Sequence, residues 1–213
     1  MLRLVSVLVA GWMTMGGWAV VTVKDLPEYF VAGQRYTLEF QVRQHGRTLM
    51  NNVQPQLVVA TSEGNSNAAT LAATRSGDGT YRVTFAVPQG NRAYLTIISG
   101  WGASNLSLYP VRVVAAGAHP APLSPIDRGQ MLFVAKGCNA CHANSDLADR
   151  PDNQAIAAGP ALGGRHLPRE YTIQKMKNPS SETMPNLGLS DTEAAAIAGF
   201  LSGDRTTATG GGR

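Results

Sequence analysis

Apolar and polar residues alternate with period two over the first half of the chain, and helical spacing takes over only in the second. Tyr36, Leu38, Phe40 and Val42 alternate with Thr37, Glu39, Gln41 and Arg43, which puts four apolar side chains on one face of a strand. Tyr81, Val83, Phe85 and Val87 repeat the pattern after Ser76-Gly77-Asp78-Gly79, a turn cluster suited to a hairpin. Shorter runs at residues 20–24, 57–60, 69–74, 93–99 and 106–114 bring the expectation to about seven strands, separated by Gly, Asn and Pro. The pattern predicts a small β-sandwich over residues 20–116. With no disulfide to staple it, its core must come from inward aromatic and β-branched residues, with Trp101, Tyr109 and Tyr94 as core or corner members.

The period changes after an Ala/Pro-rich linker at residues 117–123, whose prolines favour extended structure and predict a semi-rigid spacer between two domains. His119 within it reads as linker chemistry. Ser124 and Pro125 are an N-cap and a first-turn proline, opening a helix that runs to Lys136 and stops at Gly137. Gly129 and Phe133 share a face of it, and a small residue there lets another helix cross closely. The partner is legible near the end of the chain. Ser190-Asp191-Thr192-Glu193 is a capping box, followed by a short helix with Ile197, Phe200 and Leu201 near one stripe and Gly203 as its stop. A further helix is expected over residues 168–177, a polar surface loop over 143–158, and a disordered tail over 205–213.

Composition adds a compartment rather than a fold. A chain of 213 residues, 44% hydrophobic, with 23 Gly and 12 Pro, suits two domains with terminal extensions. The net charge of +4 lies wholly in residues 1–123, but its basic residues are scattered singly, a solvated β surface and not a nucleic-acid footprint. Met1-Leu2-Arg3 is a short positive segment, followed by an uncharged stretch over residues 4–23. Two readings compete. The stretch is long enough to span a bilayer as an uncleaved membrane tether, or Gly17-Trp18-Ala19 ends a signal peptide of residues 1–19, with small residues at −3 and −1. Cleavage after Ala19 is preferred because Val21-Thr22-Val23-Lys24 alternates like a first strand. Either reading makes the rest of the chain periplasmic or otherwise extracytoplasmic.

The chemistry is concentrated in five residues. The chain has two cysteines, and both lie in Cys138-Asn139-Ala140-Cys141-His142, a C-x-x-C-H run that reads as the attachment site of one covalent haem c. Two thiols on one turn can add to the two vinyl groups, and the adjoining imidazole reaches the iron from one face. A thioredoxin-like redox pair would want a βαβ context, and a structural zinc would want further cysteines; neither is present. No Ser/His/Asp set, helical carboxylate pair or phosphate-binding glycine loop emerges elsewhere.

The two helices that bracket this motif and carry Gly129, Phe133 and Phe200 resemble the paired terminal helices of class I cytochromes c, over residues 124–204. The resemblance implies an all-α cytochrome c fold for the C-terminal part of a two-domain chain, whose N-terminal part the strand pattern makes an all-β, immunoglobulin-like sandwich. It implies that Pro160, in Gly159-Pro160-Ala161-Leu162, turns its carbonyl to the proximal imidazole of His142, and that Met184 is the second axial ligand. Met176, inside the helix expected over 168–177, and His166, which would make a bis-His site, compete with Met184 for that place. His/Met ligation implies electron transfer, not catalysis, by a carrier or haem subunit of an extracytoplasmic redox chain. The implied partners are redox proteins, among them a membrane-bound oxidoreductase, and no nucleic acid. The alternatives are a haem enzyme or gas sensor with an open or labile sixth position, or a metal-binding β module served by the cytochrome. Separately, Asp25-Leu26-Pro27-Glu28-Tyr29, Val42-Arg43-Gln44-His45-Gly46 and Gly79-Thr80-Tyr81-Arg82-Val83 resemble exported immunoglobulin-like modules of the YtkA type, often associated with copper handling. That resemblance offers His45 and Met50 as soft ligands, against the ordinary reading of His45 as a solvated turn residue.

Overall fold

A computed structural model describes residues 17–64, 68–147, 156–179 and 184–203. In chain order its strands are β1 (Ala19–Val23), β2 (Tyr29–Val31), β3 (Arg35–Gln44), β4 (Thr48–Leu49), β5 (Gln56–Ala60), β6 (Ala69–Ala72), β7 (Thr74–Gly77), β8 (Thr80–Ala86), β9 (Arg92–Ile98), β10 (Asn105–Ser107) and β11 (Val111–Val114). They form a two-sheet β-sandwich. One sheet has the order β1-β3-β8-β7 with β4 on β3, and the other β2-β11-β9-β5-β6 with β10 on β9. Pairing is antiparallel except between β2 and β11.

The period-two alternation positions the core. On β8, Tyr81, Val83 and Phe85 are buried while Arg82, Thr84 and Ala86 are exposed. Phe40 lies opposite Tyr81 in the β3/β8 register, with the rings stacked at 6.1 Å. Phe30 from the opposite sheet meets Phe85 edge-on at 5.5 Å, so aromatic contacts tie the two layers together.

Several expectations need correction. The strand expected over 69–74 is two strands: β6 pairs with β5 and, after Ala73, β7 pairs with β8 in the other sheet. The run over 106–114 divides into β10 and β11 around Tyr109-Pro110, because proline brings no N–H to a ladder. The very short β2 and β4 carry too few residues for a period to register. Trp101 is not in the core but lies in an exposed turn, 36% accessible, its indole against Gly17. Tyr94 is half-buried on β9, and Tyr109 is half-buried with its hydroxyl accepting from Gln130 Nε2 at 2.7 Å.

The helices are α1 (Pro125–Ala135), α2 (Arg169–Lys177) and α3 (Asp191–Ser202). Ser124 Oγ accepts the Asp127 N–H at 3.1 Å, and the Ser190/Glu193 capping box is closed in both directions, at 3.2 and 3.1 Å. Helices α1 and α3 cross at Gly129, where a Cβ would lie 2.7 Å from Phe200 Cβ and overlap the Ala196 carbonyl. Phe133 and Phe200 close the crossing, tilted edge to face at 5.7 Å.

The two domains are docked rather than spaced. All five residues of β1 are buried, and the helical domain meets them: Val20 lines a crevice with Cys138 and Cys141, and Thr22 bonds to Lys136. Thr22 Oγ1 donates to the Lys136 carbonyl at 3.3 Å, and Arg128 Nη2 to the Leu26 carbonyl at 2.8 Å. The linker itself is pinned. Arg112 Nη1 donates to the Ala121 carbonyl at 2.9 Å, and Glu28 Oε2 accepts the Leu123 N–H at 2.9 Å.

Residues 1–16, half of the loop expected over 143–158 and the tail over 205–213 lie outside the described residues. Ala19 is the first residue of β1 and pairs with Gln44, and the Trp18 carbonyl accepts the His45 N–H at 3.0 Å. Among the described residues no helix is long and apolar enough to cross a membrane.

Candidate haem crevice

The cysteine motif sits where α1 is forced to turn. Gly137 ends the helix with φ +76, a left-handed conformation glycine adopts without strain, and a Cβ on it would lie 2.6 Å from Val20 Cγ1. The chain then winds into a tight turn, Cys138–Ala140, and the His142 N–H bonds to the Cys138 carbonyl at 2.9 Å. Cys138, Cys141 and His142 thereby line one crevice of about 1270 Å³, its open mouth included.

The rest of the lining comes from every part of the domain. Phe133 of α1, Met176 of α2, and Ile197 and Leu201 of α3 make it apolar; Met184 and Pro185 enter from the segment before α3; the exposed Arg165 and Tyr171 reach it from solvent. Burial chiefly, and the neighbouring Cys141 next, push the Cys138 thiol up to about 12, and burial raises Cys141 as well. Both sulfurs are thus held protonated, which is unlike the thiolate of a redox dithiol.

His142 is braced in a defined tautomer. Its Nδ1 stands 2.8 Å from the Pro160 carbonyl, and because a carbonyl can only accept, Nδ1 carries the proton and Nε2 keeps its lone pair for a metal. A Cβ on Gly159 would come 2.7 Å from Nδ1, so a side chain there would push the backbone off the ring. The residues present fit a c-type haem: an apolar slot, two thiols on one wall, an imidazole with a free nitrogen, and a thioether in the same lining.

The crevice therefore brings together Cys138, Cys141, His142, Pro160 and Met184, along with Met176. It leaves His166 out. That residue takes φ +46 and sets Nδ1 3.3 Å from the Ser202 carbonyl at the end of α3. In the sandwich, His45 is exposed on the β3/β4 turn while Met50 packs against the core, and among the described residues no cluster of three or more His, Cys, Asp or Glu could hold a metal.

Among the lining residues that sequence reasoning did not single out are Val20 and Lys136. Lys136 Nζ pairs with Glu193 Oε1 at 2.6 Å, the side chains only 6% and 16% exposed, tying the end of α1 to the start of α3. Burial would raise the Glu193 carboxyl, but the Lys136 ammonium and the Ser190 N–H more than offset it, and the net shift is downward. No local signal marks either residue, since a lysine in a last helical turn and a valine in an alternating strand are ordinary.

A C-x-x-C-H turn between two crossing helices, with an apolar slot facing it, defines a cytochrome c domain. Residues 124–201 match the family described as cytochrome c oxidase, cbb3-type, subunit III, and the implied prosthetic group is one covalent haem c on Cys138 and Cys141. The sandwich resembles filamin- and immunoglobulin-like domains. The Lin-41 filamin domain is 15% identical at a TM-score of 0.35, over 45% of this chain and 91% of that one. A superoxide reductase (neelaredoxin) from Ignicoccus hospitalis is 15% identical at 0.32, over 45% and 83%. No curated protein matches the chain.

Proposed function

We propose that the chain is an extracytoplasmic electron-transfer protein whose single haem c is ligated by His142 and Met184, working as a carrier or as a haem subunit beside a membrane-bound respiratory oxidoreductase. The observation that carries the reading is the shared lining of one apolar crevice by Cys138, Cys141, His142 and Met184. The family name of residues 124–201 supports the respiratory partner. Cys138 and Cys141 hold the group covalently, so it is not lost as partners come and go. Pro160 fixes the His142 tautomer and makes Nε2 a stronger donor. Met184 supplies a soft thioether, which favours the reduced metal and fills the position where oxygen or peroxide would bind. When bound, the haem would supply a one-electron Fe(III)/Fe(II) couple, able to accept an electron from one redox protein and give it to another. Residues 124–201 then need only hold it in a dry slot with one edge within reach.

The test is the absorption spectrum of exported, haem-loaded protein in both oxidation states, with carbon monoxide added to the reduced form. Little change on adding the gas is expected from the native chain, and ready binding together with a lowered potential from Met184→Ala. Ready binding by the native protein would overturn the ligation, and an unchanged spectrum in the variant would remove Met184 from it. Mass analysis should find one haem attached.

A further inference from the structure

We infer that the β-sandwich is part of the haem crevice: β1 and the turn after β3 close it on the Cys141 side and limit the water that reaches the prosthetic group there. The inference rests on the haem reading above. Val20 is the central observation. It lines the crevice with Cys138, Cys141 and His142 and is only 4% exposed, while its neighbours Ala19 and Val21, on the other side of the strand, are buried as well but do not line it. An outward-facing valine has no packing role in an isolated sandwich. Here its partner is the crevice.

Val20 is the sandwich residue in the lining, and the turn Gln44–Arg47 stands behind it, beside Cys141. The Arg47 N–H bonds to the Gln44 carbonyl at 2.9 Å, and His45 and Gly46 take φ +51 and +72, a left-handed pair that makes a tight hairpin. Gly46 is buried although it stands at a hairpin tip. A Cβ on it would lie 3.5 Å from Val20 Cγ2 and 4.0 Å from both Cys141 Sγ and Trp18 Cη2, so strand, turn, indole and sulfur meet within the width of one side chain. Trp18 is held there by its carbonyl, which accepts the His45 N–H at 3.0 Å, and by its ring, 5.4 Å from the imidazole of His45. The dock is polar at its back: Arg43, 8% exposed, donates to Thr22 Oγ1 at 3.4 Å, and Thr22 donates to the Lys136 carbonyl.

The consequence follows from charge. Oxidised haem iron carries one more positive charge than reduced, and an apolar wall that excludes water disfavours the more charged state. A charge placed in that wall acts on the couple with its own sign. The sandwich would then set the potential of a group held by the other domain.

The experiment is a redox titration of the full-length, haem-loaded chain carrying Val20→Asp, Val20→Lys or the neutral Val20→Asn. Relative to Asn, the aspartate is expected to lower the potential and the lysine to raise it. Thr84→Asp and Thr84→Lys, on the exposed face of β8, should differ little from one another. Where the buried charges prevent folding, Trp18→Glu and Trp18→Arg carry the same test at a half-buried position. Shifts of one sign from both charges, or none, with an unaltered haem spectrum, would overturn the role of the sandwich. Failure of the haem reading looks different: native protein without covalent haem, or reduced protein that binds carbon monoxide at once.

Discussion

The sandwich and the helical domain use the same materials to opposite ends. In the sandwich, Phe30, Phe40, Tyr81 and Phe85 are almost wholly buried, with Phe40 and Tyr81 stacked within one sheet and Phe30 meeting Phe85 between the two, so these apolar side chains are covered by protein. In the helical domain Phe133, Met176, Ile197 and Leu201 line a crevice instead of filling it. Helix α2 buries just Thr172 and Met176 among its nine residues, and the segment carrying Met184 has little secondary structure of its own. One region is stabilised by side chains meeting side chains. The other leaves an apolar crevice open, which the proposed haem would fill.

Removing the group should therefore break the comparison most sharply. A Cys138→Ser, Cys141→Ser double variant, unable to form thioethers, is expected to lose most of the thermal stability of its helices while the β signal melts at much higher temperature; circular dichroism and hydrogen exchange resolve the two. Coincident melting would mean that the helical domain needs no filling. Phe85→Ala is the converse, expected to cost about 3–5 kcal/mol in chemical denaturation of the sandwich because it removes a 1% exposed ring from the core and leaves a cavity. Gly129→Val tests the helix crossing. A side chain there meets the Ala196 carbonyl and Phe200, and about 1–3 kcal/mol should be lost from the helical domain with the sandwich transition unmoved. Ser190→Ala, which opens the capping box, should cost about 1 kcal/mol.

The smallest effect is one of pH. The Glu193 carboxyl lies below its ordinary value of 4.5 in the folded chain, so its ionised form is favoured by folding. Its contribution is fully present above the unfolded value and is lost as pH falls through the folded one. Melting temperatures from neutral pH down to about 3 should fall more steeply for the native chain than for a Lys136→Met, Glu193→Gln variant, which has nothing there to titrate. Parallel profiles would remove the pair from the acid response.

Much of this was readable in the residues. The alternation in β3 and β8 marks the face that faces inward, Ser124 and Ser190 open the helices they were expected to open, and Gly129 lies at the crossing with Phe200. These are local rules, each satisfied within a few residues. Trp101 was misread because an aromatic ring has the same propensity for a core and for a half-covered turn; only the neighbouring Gly17 decides. The break at Ala73 was hidden because a strand that changes sheets keeps its alternation while its partners change.

By itself, the sequence determined where the candidate chemistry lies: two thiols and an imidazole in one C-x-x-C-H run, and a thioether downstream. It also determined which residues of each strand share a side. What the tertiary structure alone decided is which of those sides are covered. A period of two separates Val20 and Thr22 from Ala19, Val21 and Val23, but says nothing of what lies across the outer face. That depends on contacts between residues far apart in the chain, such as Thr22 with Lys136, whose free energy comes from the fit of two assembled surfaces and leaves no periodic mark on either.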